Sequence, residues 1–421
     1  MIARTLIRTV LVAALGLSCG AGEVRVLEDG SPAKLTGLGN EALIQGRHET
    51  AIQHYRQALA RDPRYVHALF NLGLAHQQLD QLDEARRWYD EALKVEPENA
   101  QVLCNLGWLA HAGGDFAVAV ARFEEAARLT SHQPREAAEH WFNAGAARSD
   151  ARQHGEARRA YEEALALDPD HYGARYNLGT LYLGALASAP KALDHARAHL
   201  TRATELHRER CDAWLNLALC LERAHEDPLP AFDQAVVCAS VDDAPRARWQ
   251  RALYFDRCQP PKRTAMRDDL VAVLAQAPDF PEANGKLGAY EMAIGDYDRA
   301  IEHLAREVAA ANFDPHARID QEAHYLLAVA YAEHRPDPAK ALEHATAYYQ
   351  LHPDSAKIHE LRRRVLGSAG RPRTTASEQP QLVPAVHIAP PASAPPAAHG
   401  HDDHGAPAPR ESRQARDAHG H

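Results

Sequence analysis

Apolar and small residues recur along this chain in a fixed order. Leu69, Leu72 and Gly73 are followed by Ala85, Tyr89, Ala92 and Pro97, and the order restarts 34 residues on with Leu103, Leu106, Gly107, Ala119, Phe123 and Ala126. Within each half, these positions are three and four apart, the spacing of one helix face. The pattern predicts two helices per copy, the first around a Leu-Gly pair and the second around Ala, an aromatic and Ala. Pro closes the second helix because it cannot continue the hydrogen-bond ladder.

The same order can be followed from about residue 32 to 354. The first copy has Leu38, Gly39, Ala51, Tyr55, Ala58 and Pro63, and the fourth has Trp141, Gly145, Ala157, Tyr161, Ala164 and Pro169. The fifth keeps Leu178, Gly179 and Tyr182, is interrupted near GALASAP, and resumes at Ala196, Leu200 and Ala203. The sixth has Trp214, Leu217 and Ala231; the seventh, the most degenerate, has Trp249, Ala265 and Ala272. Leu287, Gly288 and Ala300 mark the eighth, Tyr325, Ala328, Ala341 and Pro353 the ninth, and a capping helix is expected over Ser355–Leu366. Gly and Ala should let the two helices of a copy approach closely, with the aromatic filling the gap toward the next copy. No copy can bury its apolar face alone, so stacked neighbours must share one continuous core.

This period and residue order resemble the tetratricopeptide repeat, a helix-turn-helix unit of 34 residues. The resemblance implies an all-α fold, a right-handed α-solenoid of about nine repeats over residues 32–367. It also implies that the first helices line a concave groove that binds partner proteins.

One residue in the pattern has no evident structural reason. Asn71, Asn105, Asn143, Asn177 and Asn216 occupy one register of successive first helices, in FNLG, CNLG, FNAG, YNLG and LNLA. Asn is unfavourable inside a helix by up to about 0.7 kcal/mol. A primary amide can pair with a peptide group without reading its side chain, and in peptide-binding members of the resembled family asparagines at this register grip an extended peptide. Phe70, Cys104, Phe142, Tyr176 and Leu215 precede them and would offer apolar cover. The alternative is an amide bonded to a neighbouring helix. Gly37, Arg251, Lys286 and Leu327 stand at this register in the other copies.

The first nineteen residues place Arg4 and Arg8 ahead of an apolar run from Val10 to Leu17, the layout of a secretory signal too short to span a bilayer. LGLSCG, ending on Cys19, resembles the lipobox of bacterial lipoproteins, which implies lipidation of Cys19. Gly16 stands where that motif usually has Leu, so cleavage nearby by an ordinary signal peptidase is the other outcome. Either way the chain is expected to be exported, to a periplasmic setting, with a lipid anchor as its membrane attachment. Residues 20–31 are a linker.

From residue 368 to 421 the chain becomes rich in Pro, Ala and Gly without apolar periodicity, as expected of a disordered tether. His399, His401, His404, His419 and His421 lie within it. They could take up Zn, Ni or Cu, or merely reflect a His-biased low-complexity composition.

Net charge, at −10, without clustered Lys and Arg, argues against nucleic acid. No GxSxG, GxxxxGK[ST], HExxH, GxGxxG or CxxC motif occurs, so catalysis is not expected. His195 and His199 stand at i and i+4 but lack a third ligand nearby in sequence. Four cysteines between 211 and 258 allow one disulfide in an oxidising compartment, or serve as small buried hydrophobes. The function implied is a non-catalytic interaction scaffold of the bacterial envelope. The alternatives are a metal-handling envelope protein and an accessory subunit presenting substrates to a separate enzyme.

Overall fold

The computed structural model describes residues 30–239, 244–280, 282–313 and 322–369. The expected signal and lipobox at Cys19, and the tail histidines that could take up metal, fall outside these residues. Among the described residues the regular structure is helical throughout, in two compact units meeting in sequence at His207 and Arg208.

The first unit holds five helical hairpins: α1 (Pro32–Ile44) with α2 (His48–Arg61), α3 (Val66–Gln78) with α4 (Leu82–Val95), α5 (Ala100–Ala112) with α6 (Phe116–Leu129), α7 (Pro134–Asp150) with α8 (His154–Leu167), and α9 (Tyr172–Leu183) with α10 (Ala192–Leu206). The second holds four: α11 (Cys211–Arg223) with α12 (Leu229–Cys238), α13 (Ala244–Arg257) with α14 (Arg263–Gln276), α15 (Ala283–Ile294) with α16 (Tyr297–Phe313), and α17 (Ala323–Val329), prolonged by a π turn, with α18 (Pro338–Leu351). The closing α19 (Lys357–Ala369) buries Leu361 and Val365, so it caps the last hairpin slightly beyond its expected end.

Local chemistry accounts for several boundaries. Ser31, Asn99, Asp115 and Asp337 accept from a backbone N–H in the first turn of α1, α5, α6 and α18, the usual N-cap contact. Pro63, Pro97, Pro169 and Pro353 each follow two residues after a second helix. Repeat 3 has no such proline. There Thr130 ends α6, and its hydroxyl donates to the Ala126 carbonyl at 2.8 Å.

The hairpins close on glycine. A Cβ added at Gly73 would lie 2.6 Å from the Tyr89 ring, at Gly107 2.7 Å from Phe123, and at Gly145 2.6 Å from Tyr161. Gly39 meets Tyr55 in the same way. The aromatic of the second helix therefore lies on the glycine of its own repeat, a contact beyond the gap toward the next repeat that the sequence suggests it fills. The reason is steric: only a missing Cβ lets a six-membered ring lie against a helix backbone. In repeats 5 and 8 Leu200 and Leu304 take the ring's place against Gly179 and Gly288.

Repeat 7 corrects a second expectation. The buried apolar residues of α14 are Met266, Leu270 and Val273, spaced as Ala85, Tyr89 and Ala92 are, whereas Ala265 and Ala272 are only partly buried. The expected register was one residue early. Large side chains occupy the small-residue positions here, which disguises the pattern.

Candidate functional site: the asparagine register

In the first unit, helix periodicity brings Asn71, Asn105, Asn143 and Asn177 to one register of α3, α5, α7 and α9. The first three keep only 7%, 2% and 8% of their surface, while Asn177 is half-buried. Asn71 donates to Asn40 Oδ1 at 2.9 Å, and the same oxygen accepts from the Tyr55 hydroxyl at 2.8 Å. Asn177 donates to the Tyr161 hydroxyl at 3.2 Å. Tyr55 and Tyr161 thus cover the glycine of their own repeat and join a network with the next repeat's asparagine, whereas the Tyr89 hydroxyl donates to Gln77 Oε1 within its own repeat at 2.8 Å. Phe123 has no hydroxyl, and Asn143 instead donates to Cys104 Sγ at 3.9 Å. Burial pushes the Cys104 thiol up to about 12, so it stays protonated.

The residues before the asparagines are mostly inside the helix packing. Phe70, Tyr176 and Leu215 are buried, and Phe142 and Cys104 half-buried. The Phe70 ring lies 5.8 Å from Tyr89, and Phe142 lies 5.9 Å from Tyr161 and 4.9 Å from His171. Gly173 makes room for Phe142, since a Cβ there would come within 2.9 Å of its ring. Tyr176 stacks on Tyr172 at 6.0 Å. Phe70 and Phe142 thus join neighbouring helices, whereas the Tyr172–Tyr176 pair lies within α9.

In the second unit Asn216 is half-buried on α11. The charged residues at the same register are tied between helices. Arg251 on α13 donates to both oxygens of Asp269 on α14, at 2.8 and 2.7 Å, and to Asp233 on α12 at 2.7 Å. Lys286 on α15 reaches Asp256 on α13 at 2.9 Å.

His195 and His199 do not form a cation site. His195 stacks on Tyr182 at 4.9 Å, and His199 faces the Arg175 guanidinium at 3.4 Å. Burial first, then Arg175 and His195, push His199 down to about 4, so it is neutral at pH 7. No group of three metal-binding side chains occurs among the described residues, and no described helix is long and apolar enough to cross a membrane.

One feature was not assigned from sequence. Cys211 opens α11 and Cys238 ends α12, and they form a disulfide with Cα atoms 5.4 Å apart. An antiparallel hairpin brings its two ends together, so the pairing becomes legible once the helix boundaries are known. Cys104, Cys220 and Cys258 stand outside any disulfide among the described residues.

A tetratricopeptide-repeat family model matches residues 36–101, 75–134, 142–194 and 267–315. The BBSome complex member BBS4 of Bos taurus is 24% identical over 223 residues, covering 53% of this chain and 38% of that protein. The photosystem I assembly protein Ycf3 of Acaryochloris marina is 30% identical over 96 residues, covering 22% and 57%. The chain thus spans less than two thirds of either relative. The solved structure of PilF from Pseudomonas aeruginosa matches with a TM-score of 0.43 at 19% identity, covering 56% of this chain and 97% of that one. The family match gives tetratricopeptide repeats within residues 36–134, 142–194 and 267–315, and the same helical hairpin recurs nine times among the described residues.

Proposed function

We propose that the chain is a non-catalytic scaffold of the bacterial cell envelope that holds a segment of a partner protein along the first-helix face of repeats 2 to 5. The observation that carries this is the asparagine register. Asn71, Asn143 and Asn177 each give an amide N–H to a group on another helix, which holds the amide plane in place. A primary amide has two donors and one acceptor oxygen. Asn71, Asn105 and Asn143 keep only 7%, 2% and 8% of their surface and serve packing between helices. The half-buried Asn177, pinned on Tyr161, is the register position with hydrogen-bonding directions left for a peptide C=O and N–H. Groups ordered before binding lose less entropy when a partner arrives. Pairing with backbone alone gives binding that tolerates many partner sequences.

The envelope setting is supported by the signal-like pattern ending at Cys19 and by the Cys211–Cys238 disulfide, since such bonds persist in oxidising compartments. No observation on the described residues favours the metal-handling or substrate-presenting alternative.

The test replaces Asn105, Asn143 and Asn177 together by Ala and compares partners captured from envelope extract, with helicity checked by circular dichroism. Loss of partners from a folded variant is expected. An unchanged set of partners would remove the asparagines from the binding role. Separately, Cys19→Ser should release the protein from the membrane fraction, and unchanged membrane association would count against the lipid anchor.

A further inference from the structure

On the second-helix side of the first unit, the C-terminal halves of α2 and α4 flank a groove of about 630 Å³. Leu59, Trp88 and Val95 contribute apolar, partly buried walls that also pack on the core. Arg56 and Arg64 line it from the α2 side, and both are exposed. Glu91 and Lys94 also line it and offset each other in an ion pair at 2.6 Å. The two guanidiniums make no ion pair among the described residues.

The charge at these two positions is inverted relative to repeats 2 to 4. Arg56 follows Tyr55, and the residue after the corresponding aromatic is Asp90 in repeat 2, Glu124 in repeat 3 and Glu162 in repeat 4. Arg64 follows Pro63, and the residue after the corresponding proline is Glu98 in repeat 2 and Asp170 in repeat 4. Several of those acids are engaged within the fold. Glu124 pairs with Arg148 at 2.5 Å, Glu162 with Arg158 at 2.6 Å, and Asp170 with Arg202 at 2.7 Å. In a chain of net charge −10, repeat 1 thus presents two unpaired cations beside an apolar cleft where its sister repeats present acids.

We propose that this groove docks an acidic peptide segment of a partner protein, with carboxylates on Arg56 and Arg64 and an aliphatic or aromatic side chain between Leu59, Trp88 and Val95. Guanidinium suits carboxylate because its planar fork can donate two parallel hydrogen bonds. The cleft favours a projecting side chain over a flat bilayer, because its apolar walls are recessed between two helices. This surface is separate from the asparagine register, so two partner segments could be held at once.

The test titrates the full chain into a fluorescein-labelled peptide carrying glutamates on both sides of a Leu-Phe pair, read by anisotropy. The same peptide with lysines replacing the glutamates is the control, and both are compared with R56E/R64E. That variant adopts the acidic pattern of the later repeats at two exposed positions, so its melting curve should match the wild type. Binding of the acidic peptide, weakening with added salt and falling by at least about tenfold in R56E/R64E, is the expected result. Equal affinity for the lysine peptide, or affinity unchanged in R56E/R64E, overturns the proposal. So does capture by phosphatidylglycerol vesicles through Arg56 and Arg64 when the acidic peptide is not bound.

Discussion

Asn177 on α9 donates its side-chain amide to the hydroxyl of Tyr161 on α8, 3.2 Å away. Tyr161 is buried, and its ring lies on Gly145. One tyrosine therefore closes its own hairpin and joins it to the next. Asn177→Ala would leave that hydroxyl without this partner, at a cost of about 1–3 kcal/mol. The midpoint of urea denaturation should fall accordingly. An unchanged midpoint would show that the bond contributes nothing net, leaving a binding role as the reason for Asn177.

Glycines at two positions of the first helices should respond to alanine with opposite sign. At Gly73 the new methyl would sit 2.6 Å from the Tyr89 ring, whereas at Gly37, inside α1, it would meet nothing within 4 Å. Gly73→Ala should destabilise by about 1–3 kcal/mol through overpacking. Gly37→Ala should stabilise by up to about 1 kcal/mol through helix propensity. Differential scanning calorimetry of the two variants decides. A stabilising Gly73→Ala would mean that the ring has room to move.

Reduction of the Cys211–Cys238 disulfide should loosen the α11–α12 hairpin. The cysteines are 27 residues apart, and a closed loop of that size contributes about 3 kcal/mol in the chain-entropy model. Non-reducing peptide mapping should find these two cysteines linked, with Cys104, Cys220 and Cys258 free. Reductant should raise amide exchange in α11 and α12 above that elsewhere. Recovery of both cysteines as thiols from the native protein would rule the link out.

His140 on α7 should make stability depend on acid. It is buried, no hydrogen bond reaches either ring nitrogen, and burial pushes it from its ordinary 6.5 down to about 4, against the opposing pull of Glu139. The unfolded chain then binds the proton more readily between pH 6.5 and 4, so stability is lost as pH falls through that window. At about 1.4 kcal/mol per pH unit the loss approaches about 3 kcal/mol. His140→Leu should flatten the slope of stability against pH between 7 and 4.5, measured by denaturation at each pH. An equal slope in both proteins would remove His140 from the account.

The sequence by itself determined the helical hairpins and their period. Helix-face spacing, N-caps and closing prolines act within a few residues, and in repeats 1 to 4 and 8 the glycine of the first helix stands at one interval from the large residue of the second. It also marked the asparagine register, because five copies of an unfavourable residue at one position call for a reason. Where those amides point was decided only by tertiary structure. Asn71 meets Asn40 and Asn177 meets Tyr161 because neighbouring helices bring together residues 31 and 16 apart in sequence, and no local rule encodes that approach. The one-residue shift in repeat 7 has the same origin. Met266 and Val273 occupy positions that sequence pattern assigns to alanine, and their burial against the neighbouring helices, rather than their size, sets the register. The Cys211–Cys238 link and the two unpaired arginines beside Trp88 likewise depend on which helix ends and faces meet in space.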